Sequence, residues 1–316
     1  MSKQSMRDTL KTSLEQLMRR DPNVVVLDAD LASANGTLPL HELFAPRALD
    51  IGISEAHMAS MSAGLSAYGL KPWAVTFTAF NSRRLADQLT ISCAYAMQNV
   101  KFIATDAGVS AALNGGTHMS FEDVGILRAI PTTHVLEAAD ARQLAQIIEA
   151  IADLPGVFWL RMVRKEAEDI FDEDYRLRLY KGDRLLSGTD VSLIASGLMV
   201  EQAKACAALL KQEGIQVDLI ALHSYKPLDE EILLETAQKT KLVVVLDNHN
   251  LHTGLYSAVA ETLAPYAVAP VHGIGIEDRF GEVGSQSYLL ETFGLDAASL
   301  SKKVRILCQR SKEGVR

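Results

Sequence analysis

At 316 residues the chain is long for one ordinary domain and comfortable for two. Apolar residues make up 48% and charged residues 22%, an ordinary globular balance, and a formal net charge of -8 argues against binding nucleic acid or anionic lipid. The three cysteines, Cys93, Cys206 and Cys308, are odd in number, widely spaced and without metal-ligand spacing, so they read as reduced, mostly buried thiols. The N-terminal stretch is polar and amphipathic, without the apolar core of a signal peptide. No apolar run approaches the roughly 20 residues of a membrane span, so a soluble, cytoplasmic protein is expected.

Apolar spacing predicts a helix over residues 6–19, with Leu10, Leu14, Leu17 and Met18 on one stripe, then a buried strand at 24–27. A helix is expected over 54–68, capped by Ser54, with Met58, Met61 and Leu65 on one face and Gly69 at its end. A strand at 73–77 follows, then a helix over 82–97 carrying Leu85, Leu89, Cys93 and Ala96, then an apolar strand at 100–104. Another helix is expected to start near Phe121. Asp140 is placed to cap one running to about Ile151, and 157–160 reads as a strand after Pro155 and Gly156. From Arg164 to Arg184 the chain is rich in charges of both signs and poor in periodicity, which marks a connection. The pattern then restarts, with strands at 191–195, 216–221 and 242–246 and helices at 199–213 and 229–239, the first ended by Gly214. The expected fold is α/β in two domains, each with a mainly parallel sheet covered by helices: residues 1–165, a linker over 166–188, and residues 189–316.

Three groups of residues carry chemistry. Glu55 opens the helix that follows an apolar strand, in Ile51-Gly52-Ile53-Ser54-Glu55-Ala56-His57-Met58; its plainer reading is a carboxylate offsetting the helix dipole. Phe77 and Phe80 leave the end of a strand three residues apart, where core packing is the usual role of Phe. Asp106, Asn114 and His118 belong to a loop rich in glycine and small residues after the strand at 100–104. Loops at the carboxyl ends of parallel strands are where open α/β sheets bind ligands, although a loop histidine also occurs simply as a surface residue.

Taken in order on one sheet, these groups resemble the pyrimidine-binding domain of transketolases. The resemblance extends through DADLA (28–32), IGISEAHM (51–58), AGLSAYGLKPWAVTFTAF (63–80), GGTHMSFEDVGILRAIP (115–131) and EAADARQ (137–143). In the second half IASG (194–197), KPLDEE (226–231), DNHNLHTGL (247–255) and GIEDRFGEVG (275–284) are similar to the family's C-terminal domain. The resemblance implies a thiamine-diphosphate enzyme that passes a two-carbon ketol unit from a ketose to an aldose. It implies that Glu55 is catalytic, bonding the pyrimidine ring nitrogen, and that Phe77, Phe80 and Arg83 join it in binding the cofactor. It implies that His118 is catalytic at the substrate, with Asp30, Asp106, Asn114 and Arg164 also facing substrate. A carboxylate withdrawn from water shares a proton readily with a weakly basic ring nitrogen, and a flat heteroaromatic wants an apolar stacking surface, so the residue types suit these roles.

The family holds the diphosphate through magnesium, bound by Gly-Asp-Gly and a later Asn. Here the one Gly-Asp is Gly182-Asp183, followed by Arg184, and no Gly-rich loop opening a helix suits a phosphate. Gly273-Ile274-Gly275 lacks the strand-turn-helix setting of a dinucleotide site, which argues against NAD. The resemblance therefore implies half a transketolase. Magnesium ligands are expected on a partner chain with the diphosphate-binding domain, in a heterotetramer with two of each chain.

Three other readings stay open. The beta subunit of a 2-oxoacid dehydrogenase has similar length, domains and cofactor, but GGTHMSFEDVGILRAIP and KPLDEE look more like transketolase. A non-catalytic regulatory chain of the same fold would not need Glu55, Phe77, Phe80 and His118 together. The C-terminal half of a deoxyxylulose-phosphate-synthase-like enzyme is the third. In the second half His249 and His252 read as a hydrogen-bonded turn and Arg279 as structural, so this half is expected to stabilise assembly. One departure bears on substrate. The family's Thr-His position reads Thr105-Asp106, and Ala34 stands where a serine is usual, whereas Arg164 matches a phosphate-binding arginine. An aspartate repels a phosphate dianion, so an altered acceptor is expected unless Asp106 is turned away.

Overall fold

The computed structural model describes residues 3–313. A seven-stranded sheet runs in the spatial order Ser224–Lys226, Thr133–Glu137, Val157–Arg161, Val100–Thr105, Lys71–Phe77, Val24–Asp28 and Ala48–Asp50. All its pairings are parallel except the first. The second sheet runs Val271–Ile276, Val243–Asn250, Val191–Ala195, Val217–Ala221 and Asp183–Leu186, again parallel but for the last pairing. The expected α/β architecture with mainly parallel, helix-covered sheets is present. Its strands are continuous apolar runs because both faces are buried.

Alternation along the strands sends side chains to two cores. Trp73, Val75 and Ile103 pack on one face with Leu10, Leu14 and Leu17 of the helix Met6–Arg20; Ala74, Phe102 and Trp159 pack on the other with Met58 and Ala59 of the helix Glu55–Ala67. Each core also takes in residues of the second sheet, so the halves are packed together rather than tethered. Asp140 caps the helix Ala141–Ile151 through the Gln143 N–H, and its other oxygen accepts the Ile170 and Phe171 N–H groups, pinning the charged connection to the first sheet. Both ends of that connection are strands: Glu166–Glu168 pairs with Lys3–Ser5, and Asp183–Leu186 edges the second sheet.

The helix expected over 82–97 is broken into short turns at Phe80–Arg83 and Ala86–Gln88 and then a π-helix, Leu89–Tyr95. The wider turn buries Ala94 along with Leu89 and Cys93, whereas a 3.6-residue repeat would keep Leu89 and Cys93 on one face and turn Ala94 roughly 100° away from Cys93. All three cysteines are buried and none forms a disulfide. Among the described residues no helix is long and apolar enough to cross a membrane.

The two halves also share hydrogen bonds. Strand Ser224–Lys226, which the sequence pattern did not reveal, leaves the second half and adds antiparallel to Thr133–Glu137 of the first sheet. Behind it lies a buried ionic cluster. Arg161 is fully buried, its Nε on Asp123 at 2.8 Å, its Nη1 on Glu137 at 2.9 Å and its Nη2 on the Asn248 carbonyl at 2.7 Å. Tyr225 donates to the other Glu137 oxygen. Three donor groups on three acceptors leave the buried guanidinium paired, the condition under which burial of charge is tolerated.

Candidate active site

The C-terminal ends of the central strands converge on a cavity of about 320 Å³ lined by Ala29, Asp30, Leu31, Ile53, Glu55, Phe80, Arg84, Thr117 and His118. Four residues singled out in the sequence, Asp30, Glu55, Phe80 and His118, thus meet in one place. Their loops all leave the same edge of the parallel sheet, so a shared site follows from topology.

Glu55 is the first residue of its helix and only 3% exposed, with its carboxylate turned into the cavity wall. Ser54 precedes it without a side-chain cap bond, leaving Glu55 as the acidic group of that first turn. Its oxygens accept from one nitrogen of Arg84, at 2.9 and 3.1 Å. Arg84 is about half exposed and lays its guanidinium over the Phe80 ring, 4.2 Å from the centroid. Phe77 and Phe80 stack at 6.1 Å, and His118 meets both edge-on, at 6.2 and 5.2 Å. The turn that carries the rings is tied to the central strand: Thr78 donates its N–H and hydroxyl to the Thr105 carbonyl, and Asn81 donates to the Ile103 carbonyl. A buried carboxylate beside an aromatic face suits a flat, weakly basic heteroaromatic such as an aminopyrimidine. Arg84 already shows that Phe80 accepts a planar group.

Arg83 does not face this cavity. It donates to the Met119 carbonyl at 2.7 Å and pairs with Glu122 at 2.9 Å, and Arg84 stands where Arg83 was expected. One residue along a helical turn rotates a side chain by roughly 100°, and nothing in the local sequence distinguishes the two arginines. Asp30 adopts φ 60°, with its N–H held by Asp50 at 2.9 Å. Asn114 is exposed at the end of the 3-10 turn Gly108–Asn114 and is not part of the cavity wall.

Asp106 and Arg164 form a unit of their own. Asp106 is fully buried at φ 59° and takes the Arg164 Nε at 3.0–3.1 Å, while Arg164 Nη1 bonds the Ala34 carbonyl and the guanidinium stands 5.2 Å from the Phe77 ring centroid. Burial pushes the Asp106 carboxyl up from its usual range, and the Arg164 charge offsets part of that. Asp106 is thus turned onto Arg164 rather than away from it. Arg164 also borders a larger recess of about 570 Å³ with Ser5, Arg7, Asp8, Lys165, Glu166 and Gln286. Arg7 was not singled out in the sequence because an arginine near a chain start has no distinguishing pattern.

In the second half, Asn250 closes the turn after its strand, its Oδ1 accepting the His252 and Thr253 N–H groups. Strand Val243–Asn250 runs four residues past the expected end, so His249 lies in the strand, fully buried and 3.6 Å from Asp123. Burial pushes the His249 imidazole down to about 4, so it is neutral near pH 7. Arg279 stacks over Phe293 at 4.1 Å and donates to the Thr292 carbonyl, which ties down the loop before helix Gln286–Phe293.

A helix-covered parallel sheet with this carboxylate–aromatic wall, joined to a second parallel domain, is the architecture of a transketolase's pyrimidine-binding and C-terminal domains. The chain belongs to the transketolase family: the transketolase pyrimidine-binding domain matches residues 2–168 and the transketolase C-terminal domain residues 181–300. It is 40% identical, over 96% of its length and 95% of the relative's, to a 6-deoxy-6-sulfo-D-fructose transketolase subunit of a Clostridium strain. It is 34% identical over 95% of both chains to a putative transketolase C-terminal section of Methanocaldococcus jannaschii. A solved split-gene transketolase, an inactive beta4 tetramer, superposes with a TM-score of 0.88 at 34% identity, covering 96% of this chain and 98% of that one. By contrast the chain spans half of the 1-deoxy-D-xylulose-5-phosphate synthase of Caldanaerobacter subterraneus, at 31% identity over 98% of its own length.

Proposed function

We propose that this chain is the C-terminal-half subunit of a split, thiamine-diphosphate-dependent transketolase, a transferase that moves a two-carbon ketol unit from a ketose to an aldose. The observation that carries this is the buried Glu55 carboxylate set beside Phe80 and His118 in one cavity. Thiamine diphosphate would supply the carbon–carbon bond chemistry, and this chain would supply its surroundings. Glu55 would hold a proton at a pyrimidine ring nitrogen; Phe77 and Phe80 would offer the stacking face; His118 and Asp30 would bond substrate oxygens. Arg84 would shift from Glu55 when the ring nitrogen takes its place. Magnesium and the diphosphate would be held by a partner chain, in an assembly with two copies of each.

The substrate would be a sugar whose far end carries something other than an ordinary phosphate. Asp106 occupies Arg164 and adds a carboxylate beside any anion placed there. A sulfonate carries one charge where a phosphate carries close to two, so it suffers about half the repulsion. The likeness to a 6-deoxy-6-sulfo-D-fructose transketolase subunit supports the same choice, and the recess beside Arg164 carries Arg7 and Lys165 against Asp8 and Glu166, a small excess of positive charge that suits a singly charged end better than a dianion. The test reconstitutes the chain with a chain carrying the diphosphate-binding domain, then compares kcat/KM for 6-deoxy-6-sulfo-D-fructose, D-fructose 6-phosphate and D-xylulose 5-phosphate. The sulfo-sugar is expected to be the best donor. Equal efficiency on the pentose phosphate, unchanged by Asp106→Ala, would remove the substrate assignment. Carbon dioxide release from pyruvate in place of ketol transfer would move the chain to the deoxyxylulose-phosphate-synthase reading.

A further inference from the structure

The loop that brings His118 to the cavity is built from the first half but held by the second. It begins in the 3-10 turn Gly108–Asn114. Asn248, 2% exposed, clasps the start of that turn from both sides: its Nδ2 donates to the Ala107 carbonyl at 3.0 Å, and its Oδ1 accepts the Val109 N–H at 3.0 Å. Gly108 lies between them at φ +53°, and a Cβ there would run into the Asn248 side chain. Asn248 is itself anchored, because its carbonyl accepts the Arg161 guanidinium inside the buried Asp123–Glu137 cluster. The far end of the loop is held too: Asn250 donates its N–H to the Phe121 carbonyl at 2.9 Å, and Phe121 meets Phe293 edge-on at 5.7 Å. Between these anchors Ala112 takes φ 49°, ψ -117°, a conformation that a residue with a Cβ keeps only where its surroundings dictate it.

We infer that Asn248 is a positioning residue: by clasping Ala107 and Val109 it fixes the loop that presents His118, so the C-terminal half sets the geometry of a cavity lined, among the described residues, by the first half alone. The catalytic part of this inference rests on the transketolase reading of the site; the clasp itself does not. Without the Asn248 amide, the Ala107 carbonyl keeps Ser110 as donor, but the Val109 N–H has no partner in a buried setting. Replacement by Asp keeps the size and an acceptor for Val109, yet turns an oxygen toward the Ala107 carbonyl.

The test uses the full chain. Amide hydrogen exchange of the wild type, Asn248→Ala and Asn248→Asp is followed over peptides spanning 107–121 and, as reference, the strands at 24–28 and 191–195. Both variants are expected to exchange about tenfold faster across 107–121, with the reference strands unchanged. No change in 107–121, or equal acceleration everywhere, overturns the clasp. In the reconstituted enzyme, with 6-deoxy-6-sulfo-D-fructose and D-xylulose 5-phosphate as donor probes, kcat/KM is expected to fall by about 10²-fold while thiamine diphosphate affinity stays the same. Equal losses in cofactor affinity and turnover would overturn the positioning role. If the wild-type pair transfers no ketol unit from either probe, the functional reading fails, and the exchange result still decides the clasp.

Discussion

The cavity wall and the seam between the two halves treat a buried charge in opposite ways. At the seam Arg161 is fully buried and meets acceptors at three nitrogens, its partners coming from both halves. At the cavity Glu55 is almost as deeply buried but, among the described residues, bonds only the half-exposed Arg84. A saturated charge contributes rigidity and specificity of packing, and a charge left with one displaceable partner stays available to a ligand. The difference sets the seam apart as structural and leaves the carboxylate of the cavity wall free to meet a ligand.

The largest effect should come from breaking the reactive side. In the reconstituted enzyme Glu55→Ala is expected to lower kcat by about 10²–10⁴-fold while the complex still assembles, as read by steady-state kinetics and sedimentation. Near-normal turnover of a well-assembled variant would remove Glu55 from the chemistry. Breaking the structural side should instead appear in stability. Arg161→Met strands Asp123 and Glu137 in the interior, and urea unfolding is expected to show a loss of about 3–5 kcal/mol. A loss below about 1 kcal/mol would mean that the seam tolerates its carboxylates unpaired.

Acid should act on the seam as well. His223 precedes the strand Ser224–Lys226, and its Nε2 accepts the Tyr180 N–H at 3.0 Å, so the ring is neutral there. Burial pushes this imidazole down to about 4. Above the unfolded value of about 6.5 both states are neutral and the group adds no pH dependence. As pH falls from there toward 4, only the unfolded chain takes up the proton, and stability is lost by up to about 1.4 kcal/mol per pH unit. His223→Gln, which keeps an acceptor, is expected to have a shallower acid limb in thermal melts; identical slopes would show that the histidine is protonated in the native state too. The smallest effect is expected at the cavity's own ion pair. Arg84→Ala should change unfolding stability by about 1 kcal/mol or less, because Arg84 is half exposed and Glu55 lines a cavity whose water can take the lost partner's place. A loss as large as that of Arg161→Met would erase the contrast between the two regions.

The parts of the fold that were legible in the sequence are those set by local periodicity. The strand Val191–Ala195 falls where alternation of the chain placed it, and the helix Ala141–Ile151 starts at the Asp140 cap. Glu55, Phe80, His118 and Asp30 are joined in the sequence by the resemblance to the transketolase pyrimidine-binding domain, and they meet at one cavity because parallel strands deliver their following loops to one edge. Arg84 and Asn114 show where this stops: the side chain's direction, and whether a loop tip reaches the cavity, depend on the turn actually adopted.

The sequence by itself determined mainly parallel α/β sheets, the central strands of each and the residue types at the cavity, because burial on both faces leaves unbroken apolar runs and motifs keep their spacing. Only the tertiary structure decided that Ser224–Lys226 crosses into the first sheet, that Arg161 closes the seam, and that Asn248 reaches Val109 from 139 residues away. Those contacts join segments whose local patterns are independent of one another. A three-residue strand or a single clasping amide satisfies a partner's hydrogen bonds without altering the periodicity of its own segment.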